Sequence, residues 1–247
     1  MGERDNMQYF ANSDRGRVRK RNEDRYLTLP LGDTALLAAV FDGMGGHTRG
    51  DLAAEAAAEI FREVFLAMPL TSAREGAERL RFAAREADAY IRKMAEEAEE
   101  PSFMGTTVTA LLIFGKEVMT LNVGDSRIYL FREGELSLIT RDDSYVQKLI
   151  DAGRLTRDAA ALHPRRNVIT RALGALGEGE ISVPIATVHR GDSFLLSSDG
   201  LYGAVGDGVI RTLLAQQLAP SSTVGYLIAK ANENGGEDNI TAALVRV

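Results

Sequence analysis

The chain has 247 residues, with 29 Lys and Arg against 35 Asp and Glu, and no cysteine. A net charge of −6 with scattered basic residues argues against a nucleic-acid or acidic-membrane partner, and the lack of cysteine excludes disulfides, thiolate zinc sites and a cysteine nucleophile. The first residues carry no apolar signal-peptide core and the runs 35–41 and 108–114 are too short to span a bilayer, so a cytoplasmic chain folded as one domain over 1–247 is expected.

In chain order, short strand-like runs at 8–12, 25–29 and 35–41 come first. Two helices follow. In the first, Leu52, Ala56, Ile60, Val64 and Met68 recur every four residues, with Ala53, Ala57, Phe61 and Phe65 beside them, which predicts one wide apolar face. In the second, Ser72 and Glu75 form a capping box, and Ala73, Ala77, Leu80, Ala84, Ala87, Ile91, Met94 and Ala98 make a stripe that must end by Pro101. Such spacing also fits a coiled-coil dimer, but an alanine-rich stripe with a helical partner just before it favours an antiparallel helix pair on a sheet.

Strands are predicted next at 107–114, 117–122, 127–131 and 136–139, with turns at Gly115-Lys116 and Glu133-Gly134 short enough for hairpins. Residues 141–175 read as a polar, partly helical insertion, capped at Asp143 or Ser144 and terminated at Gly153. Strands at 182–188 and 193–197, helices near 207–218 and 221–233 and a last strand at 240–247 complete the chain. Hairpins with helices segregated in sequence predict an α+β fold rather than a doubly wound parallel sheet.

Four aspartates stand where apolar strand-like runs meet polar turns: Asp42, Asp125, Asp199 and Asp238; Glu23 and Asp24 add a fifth acidic spot. Each Asp-Gly or Asp-Asn pair is an ordinary turn signal on its own. Together they point to a shared cation, because single carboxylates at buried strand ends are costly to desolvate. Oxygen donors suit Mg²⁺ or Mn²⁺ better than zinc. Asp42 is placed to bridge two cations, and Gly43 after it to let the backbone turn and offer its carbonyl. His47, His163 and His189 lack paired ligand spacing and read as structural.

The ordered motifs Asp14-x-Gly16-x-x-Arg19-x-x-Asn22-Glu23-Asp24, Phe41-Asp42-Gly43-Met44-Gly45-Gly46-His47, Gly105-Thr106-Thr107, Gly124-Asp125-Ser126-Arg127, Asp142-Asp143-Ser144, His163-Pro164 through Gly174, Ser198-Asp199-Gly200-Leu201 and Gly236-x-Asp238-Asn239-Ile240-Thr241 resemble the bacterial branch of the PP2C-type (PPM) serine/threonine protein phosphatases. The resemblance covers the chain from about residue 8 onward. It implies a four-layer αββα sandwich, two antiparallel β-sheets flanked by antiparallel helix pairs, with 141–175 as a flap beside the active site. It also implies two Mn²⁺ or Mg²⁺ ions per chain, with a third in bacterial members. Asp42 would bridge two metals, the Gly43 carbonyl would join the second, and Asp199 and Asp238 would complete the first. Glu23 and Asp24 would hold metal-bound waters, and Asp125 with Asp199 would bind the third metal. Arg19 would grip the substrate phosphate, a choice among Arg17, Arg19, Lys20 and Arg21 that the residues alone leave open.

The implied activity is hydrolysis of phosphoserine and phosphothreonine by in-line attack of a water bridging two metals, opposing a bacterial Ser/Thr kinase. The implied partners are phosphorylated proteins, and the chain is expected as a monomer. The alternative is a pseudophosphatase, a regulatory binding module on the same fold, whose sign would be loss of a ligand carboxylate; Asp42, Asp199 and Asp238 are all present. Two departures stand out. Gly203 lies where many relatives carry an aspartate, which bears on the third metal, and Met44 lies where animal-type relatives have a histidine. Arg165 and Arg166 read equally as phosphopeptide contacts and as solvated flap residues. Ser126 has no base beside it, and Arg127 is expected to pair with an acidic neighbour.

Overall fold

The computed structural model describes residues 7–45, 49–98 and 103–247; His47 and Pro101 lie outside them. The chain runs β1 (Gln8–Asp14), β2 (Asp24–Pro30), β3 (Ala35–Gly45), α1 (Gly50–Leu66), α2 (Ala73–Glu96), β4 (Met104–Thr106), β5 (Val108–Phe114), β6 (Glu117–Val123), β7 (Arg127–Arg132) and β8 (Glu135–Leu138). It continues through α3 (Tyr145–Asp151), α4 (Arg157–Ala161), β9 (Ile185–Thr187), β10 (Ser193–Ser197), α5 (Asp199–Tyr202), α6 (Asp207–Ala215), α7 (Pro220–Glu233) and β11 (Ile240–Arg246). One sheet has the order β1-β11-β10-β7-β8, the other β2-β3-β5-β6-β9, with β4 pairing β3 beyond the end of β5. Neighbouring strands pair antiparallel throughout.

Strand parity builds the layers. Leu36, Ala38 and Val40 of β3 pack with Leu111, Ile113, Phe194, Leu196, Ala243 and Val245 between the two sheets. Leu37, Ala39 and Phe41 turn the other way, onto α1 and α2, where the Phe41 and Phe61 rings meet edge to face at 5.4 Å. Leu195 of β10 and Ala242 and Leu244 of β11 face Ile210, Leu214, Val224 and Leu227 of α6 and α7. The result is the expected α+β arrangement, helix pair, sheet, sheet, helices.

Several local expectations change. The apolar face of α1 is centred on Ala53, Ala57, Phe61 and Phe65; Leu52 is 49% exposed, and Met68 lies past the helix end. Ala56, Ile60 and Val64 of the four-residue series pack partly buried against the same core, so the wide face forms with the large rings at its centre. The capping box of α2 is displaced by one residue: Glu75 N donates to Ser72 Oγ, but the Glu75 carboxylate accepts from Thr71 N at 3.0 Å. That helix ends at Glu96, so Ala98 lies beyond it. The strand expected at 107–114 forms as β5 from Val108, with the separate short strand β4 ahead of Thr107, and that at 182–188 shrinks to an exposed three-residue edge strand. Both hairpin turns form, with Gly115 and the Glu133-Gly134 pair at positive φ. The stripe of α2 is buried within this chain, which removes the reason to invoke a coiled-coil dimer.

The candidate acidic centre

The strand expected to stop at Phe41 does not stop there. It runs on to Gly45, exchanging β5 for β4 as its neighbour at the point where Asp42 sits. Thr107, between β4 and β5, secures the changeover: its N–H donates to the Asp42 carbonyl at 2.9 Å, while Asp42 N–H donates to its hydroxyl at 3.0 Å. Thr106 Oγ1 donates to the same carbonyl at 3.0 Å. Gly43 is therefore strand, not turn. It must be glycine because a Cβ there would lie 2.2 Å from the Gly50 carbonyl and 2.5 Å from that of Glu23.

Parity continues past the core. Asp24 opens β2 directly opposite Asp42. Asp24 Oδ2 accepts from the hydroxyls of Ser198, at 2.8 Å, and Thr241, at 2.6 Å, both from the other sheet's end. The inter-sheet layer thus changes, at one end of the sandwich, from aliphatic side chains to carboxylates and hydroxyls. Asp199 starts the short helix α5 that leaves β10, and Asp238 precedes β11. Asp125 lies in the turn between β6 and β7 and is 5% exposed.

These carboxyls crowd one another. Burial, then the charges of Asp24, Asp199, Asp125 and Asp238, holds the Asp42 carboxyl well above the usual carboxylate range. Burial also raises Asp24 and Asp125, each to about 7, and raises Asp199, with Asp238 the next cause for the last. Asp125 Oδ1 is buried with no hydrogen-bond partner.

Arg19 brings a basic group to this face. Its Nη2 donates to Asp238 Oδ2 at 2.7 Å, and it lies within electrostatic reach of Asp199 and Asp42. Among the described residues, no three acidic or histidine side chains are already closed into a ligand cage, and Asp238 is turned toward the arginine. Glu23 stands at the rim, its carboxylate against Gly50, and burial raises it too. The donor set nonetheless fits a divalent cation: hard oxygens, mutual repulsion that such an ion relieves, and an unpartnered carboxylate oxygen.

Other expected residues fall outside this cluster. His163 Nδ1 accepts from Arg165 N–H, and His189 N–H donates to Asp192, both local roles. The Ser126 hydroxyl is fully buried against that of Thr107, which fits no nucleophilic role. Arg165 packs over the Tyr145 ring within 141–175. A recess of about 550 Å³ lined by Glu78, Arg81, Phe82, Arg85 and Glu180 shares no residue with the acidic centre.

Sequence reasoning assigned no role to Asn239, which the structure makes a hub. Its Oδ1 accepts from Glu23 N–H at 2.8 Å, and its Nδ2 donates to the carbonyls of Arg15, at 2.9 Å, and Arg21, at 2.8 Å. With Gly236 O accepting from Arg17 N–H, it pins the loop bearing Arg19 to the turn bearing Asp238. Asp88 is another such residue. It lies on the alanine stripe of α2, and its Oδ1 accepts from Gly174 and Leu176 N–H. An acidic residue among apolar stripe positions was its signal.

An antiparallel αββα sandwich whose inter-sheet layer ends in clustered carboxylates is the architecture of the PPM phosphatases. A family model described as "Protein phosphatase 2C" matches residues 15–244. The "Serine/threonine phosphatase stp" of Listeria welshimeri is 36% identical over 94% of this chain and 93% of its own length. A solved serine/threonine phosphatase of S. agalactiae superposes with a TM-score of 0.92 at 32% identity, over 98% of this chain and all of that one. The catalytic domain of the serine/threonine protein phosphatase PstP, solved in complex with 2 manganese ions, gives 0.85 at 35% identity over 97% of both chains. The chain belongs to the protein phosphatase 2C family.

Proposed function

We propose that this chain is a metal-dependent protein serine/threonine phosphatase. The convergence of Asp42, Asp199 and Asp238 with Arg19 at one end of the sandwich carries the reading, and the names of its relatives support it. The cations are read as Mn²⁺ or Mg²⁺, two per chain, in line with the PstP complex. Bound divalent cations would supply Lewis acidity toward phosphoryl oxygens and make water acidic enough to act at neutral pH.

The residues divide the work. Asp42, Asp199 and Asp238, with the Gly43 carbonyl, would hold the cations, and Glu23 and Asp24 would order water around them. Asp125 would serve a third position with Asp199. Arg19, exposed on its outer side, would take two phosphate oxygens through its planar fork. Asn239 keeps Arg19 in register with Asp238. The substrates are phosphorylated serine and threonine proteins, the products of a Ser/Thr kinase. We read the chain as a cytoplasmic monomer and one domain, with 141–175 as a flap. Among the described residues no helix is long and apolar enough to cross a membrane.

The test is hydrolysis of p-nitrophenyl phosphate and a phosphothreonine peptide with Mn²⁺, repeated with EDTA and with Asp199→Asn. Mn²⁺-dependent turnover lost in both controls is expected. Unchanged activity in either control, or none with any metal, overturns the reading. Calorimetry showing no divalent-cation binding would favour the regulatory-module alternative.

A further inference from the structure

Asp125 draws no second carboxylate from Gly203, a residue without a side chain. What stands next to Gly203 is Tyr202, and its surroundings are unusual for a surface turn. Tyr202 lies one helical turn after Asp199 in α5. Its hydroxyl donates to the Asp125 carbonyl at 3.0 Å. The Arg127 guanidinium lies over its ring at 3.8 Å from the centroid. Arg127 in turn donates Nη2 to Asp142 Oδ2 at 2.8 Å and Nε to both Asp142 oxygens, at 3.2 and 3.3 Å. Its Nη1 donates to Tyr129 Oη at 3.2 Å.

Asp142 begins the 141–175 segment, and the neighbouring backbone reinforces the tie. Asp143 N–H donates to Gly124 O at 2.7 Å, and Thr170 N–H donates to Asp143 O at 2.7 Å. Asn122 Nδ2 donates to the carbonyls of both Gly124 and Arg141. The returning arm is bonded to Thr106 through Leu173, in both backbone directions, and Thr106 is itself bonded to Asp42. One root of the segment is therefore fastened to the Asp125 turn and the other to the Asp42 strand.

From this geometry we infer that Tyr202, Arg127 and Asp142 are positioning residues. They form a clamp that fixes Asp125 relative to Asp199 and, through the same guanidinium, fixes the root of 141–175. The physical reason lies in how the contacts divide. The charge of Asp142 outweighs that of Arg127 at Asp125, so what the guanidinium contributes there is mainly the placing of Tyr202, over whose ring it lies. The Asp125 carboxylate keeps a free, buried Oδ1 for a cation. The hydroxyl of Tyr202 is the bond that spans from α5 to the Asp125 backbone. The inference rests on the metal-dependent reading of Asp125 proposed above.

The test uses the full chain with Mn²⁺ alone as probe. Tyr202→Phe keeps the ring and its stacking but removes the bond to Asp125; Arg127→Lys keeps the charge but loses the fork and the stack. Calorimetric Mn²⁺ titration of the wild type is expected to show a weaker site beyond the tight pair. Tyr202→Phe should weaken that site about five-fold, the equivalent of one ordinary hydrogen bond, and leave the tight sites unchanged. Hydrogen exchange at 141–145 should quicken in Arg127→Lys, and there KM for a phosphopeptide should rise while KM for p-nitrophenyl phosphate does not. Asp142→Asn, nearly isosteric, should reproduce the exchange effect if Arg127→Lys folds poorly. Absence of a weaker Mn²⁺ site, or variants that lower Tm while its affinity and the exchange at 141–145 stay unchanged, overturns the clamp. A wild type that shows the predicted binding and exchange yet hydrolyses no phosphoester overturns the proposed function and leaves the clamp standing.

Discussion

Arg19 Nη2 donates to Asp238 Oδ2 at 2.7 Å, so the residue assigned to the phosphate and one assigned to a cation share a single ion pair. The pair is half open to water, and its contribution to stability is correspondingly small. Its interest is chemical. Arg19→Ala should raise KM for a phosphopeptide about 10- to 100-fold, the worth of a charge-assisted bond to phosphate, with a smaller effect on kcat. Because Arg19 also engages Asp238, the same variant should bind Mn²⁺ no more weakly than wild type. Steady-state kinetics and calorimetry read the two outcomes, and weakened Mn²⁺ binding would contradict the assignment.

Asp199 combines a catalytic assignment with a stability cost. Its carboxyl is raised by burial and then by Asp238. Replacing it with asparagine removes one charge from a crowd of like charges. Asp199→Asn should lower kcat by about a hundred-fold or more, yet raise the Tm of the EDTA-treated protein by a few degrees. Calorimetric melts in EDTA, set beside activity in Mn²⁺, test this opposition; a lower Tm would count against it.

The raised carboxyls also set an unusual pH dependence. Asp24 and Asp125 titrate at about 7 in the folded chain, above the value of about 3.9 expected when unfolded. Between those values the native state holds more protons than the unfolded state. Stability in EDTA should therefore fall as pH rises from about 4 to about 7. Glu75, Asp151 and Asp192 have lowered values, so their contributions are lost only in stronger acid. Melts in EDTA at about pH 5.5 and about pH 8 should show the higher Tm at the lower pH. Mn²⁺ needs ionised ligands, so its stabilisation should grow as pH rises through about 7.

Asn239 acts at one remove. Its bonds to Glu23, Arg15 and Arg21 hold the Arg19 loop, so Asn239→Ala should raise KM in the same direction as Arg19→Ala. The double variant should be little worse than Arg19→Ala, because both changes remove one arrangement. Additive losses in the four kinetic measurements would show that Asn239 does not work through Arg19.

Gly43 gives a purely steric prediction. A methyl group there meets the Gly50 and Glu23 carbonyls at 2.2 and 2.5 Å, distances that only backbone movement can relieve. Gly43→Ala should cost about 2 kcal/mol or more in urea unfolding, within the range of overpacked sites. It should also weaken Mn²⁺ binding, since the displaced strand carries Asp42.

Much of the site was legible as position in sequence. Asp42, Asp199 and Asp238 stand out because each interrupts an apolar, strand-like run, and a lone buried carboxylate is unfavourable. Arg19 did not stand out from Arg17, Lys20 and Arg21 until the motif order singled it out. Asn239, Ser198 and Thr241 were visible only as motif letters, because their worth lies in bonds to residues more than 40 positions away. The wide face of α1 was legible in its spacing, but which of its members fall outside, Leu52 and Met68, depends on where the helix meets the sheet.

By itself the sequence determined the order of the main elements, though not β4 or α5, together with the α+β class, both hairpins and the acidic residues at the strand ends. Periodicity and turn chemistry are local, and so survive without the fold. Only the tertiary structure decided how those acids divide. It carries β3 past Asp42 on the Thr106–Thr107 bonds and sets Asp24 opposite. It turns Asp238 to Arg19 and leaves Asp125 Oδ1 without a partner. Each of those facts depends on two chain segments meeting across the sandwich, and no local propensity encodes such a meeting.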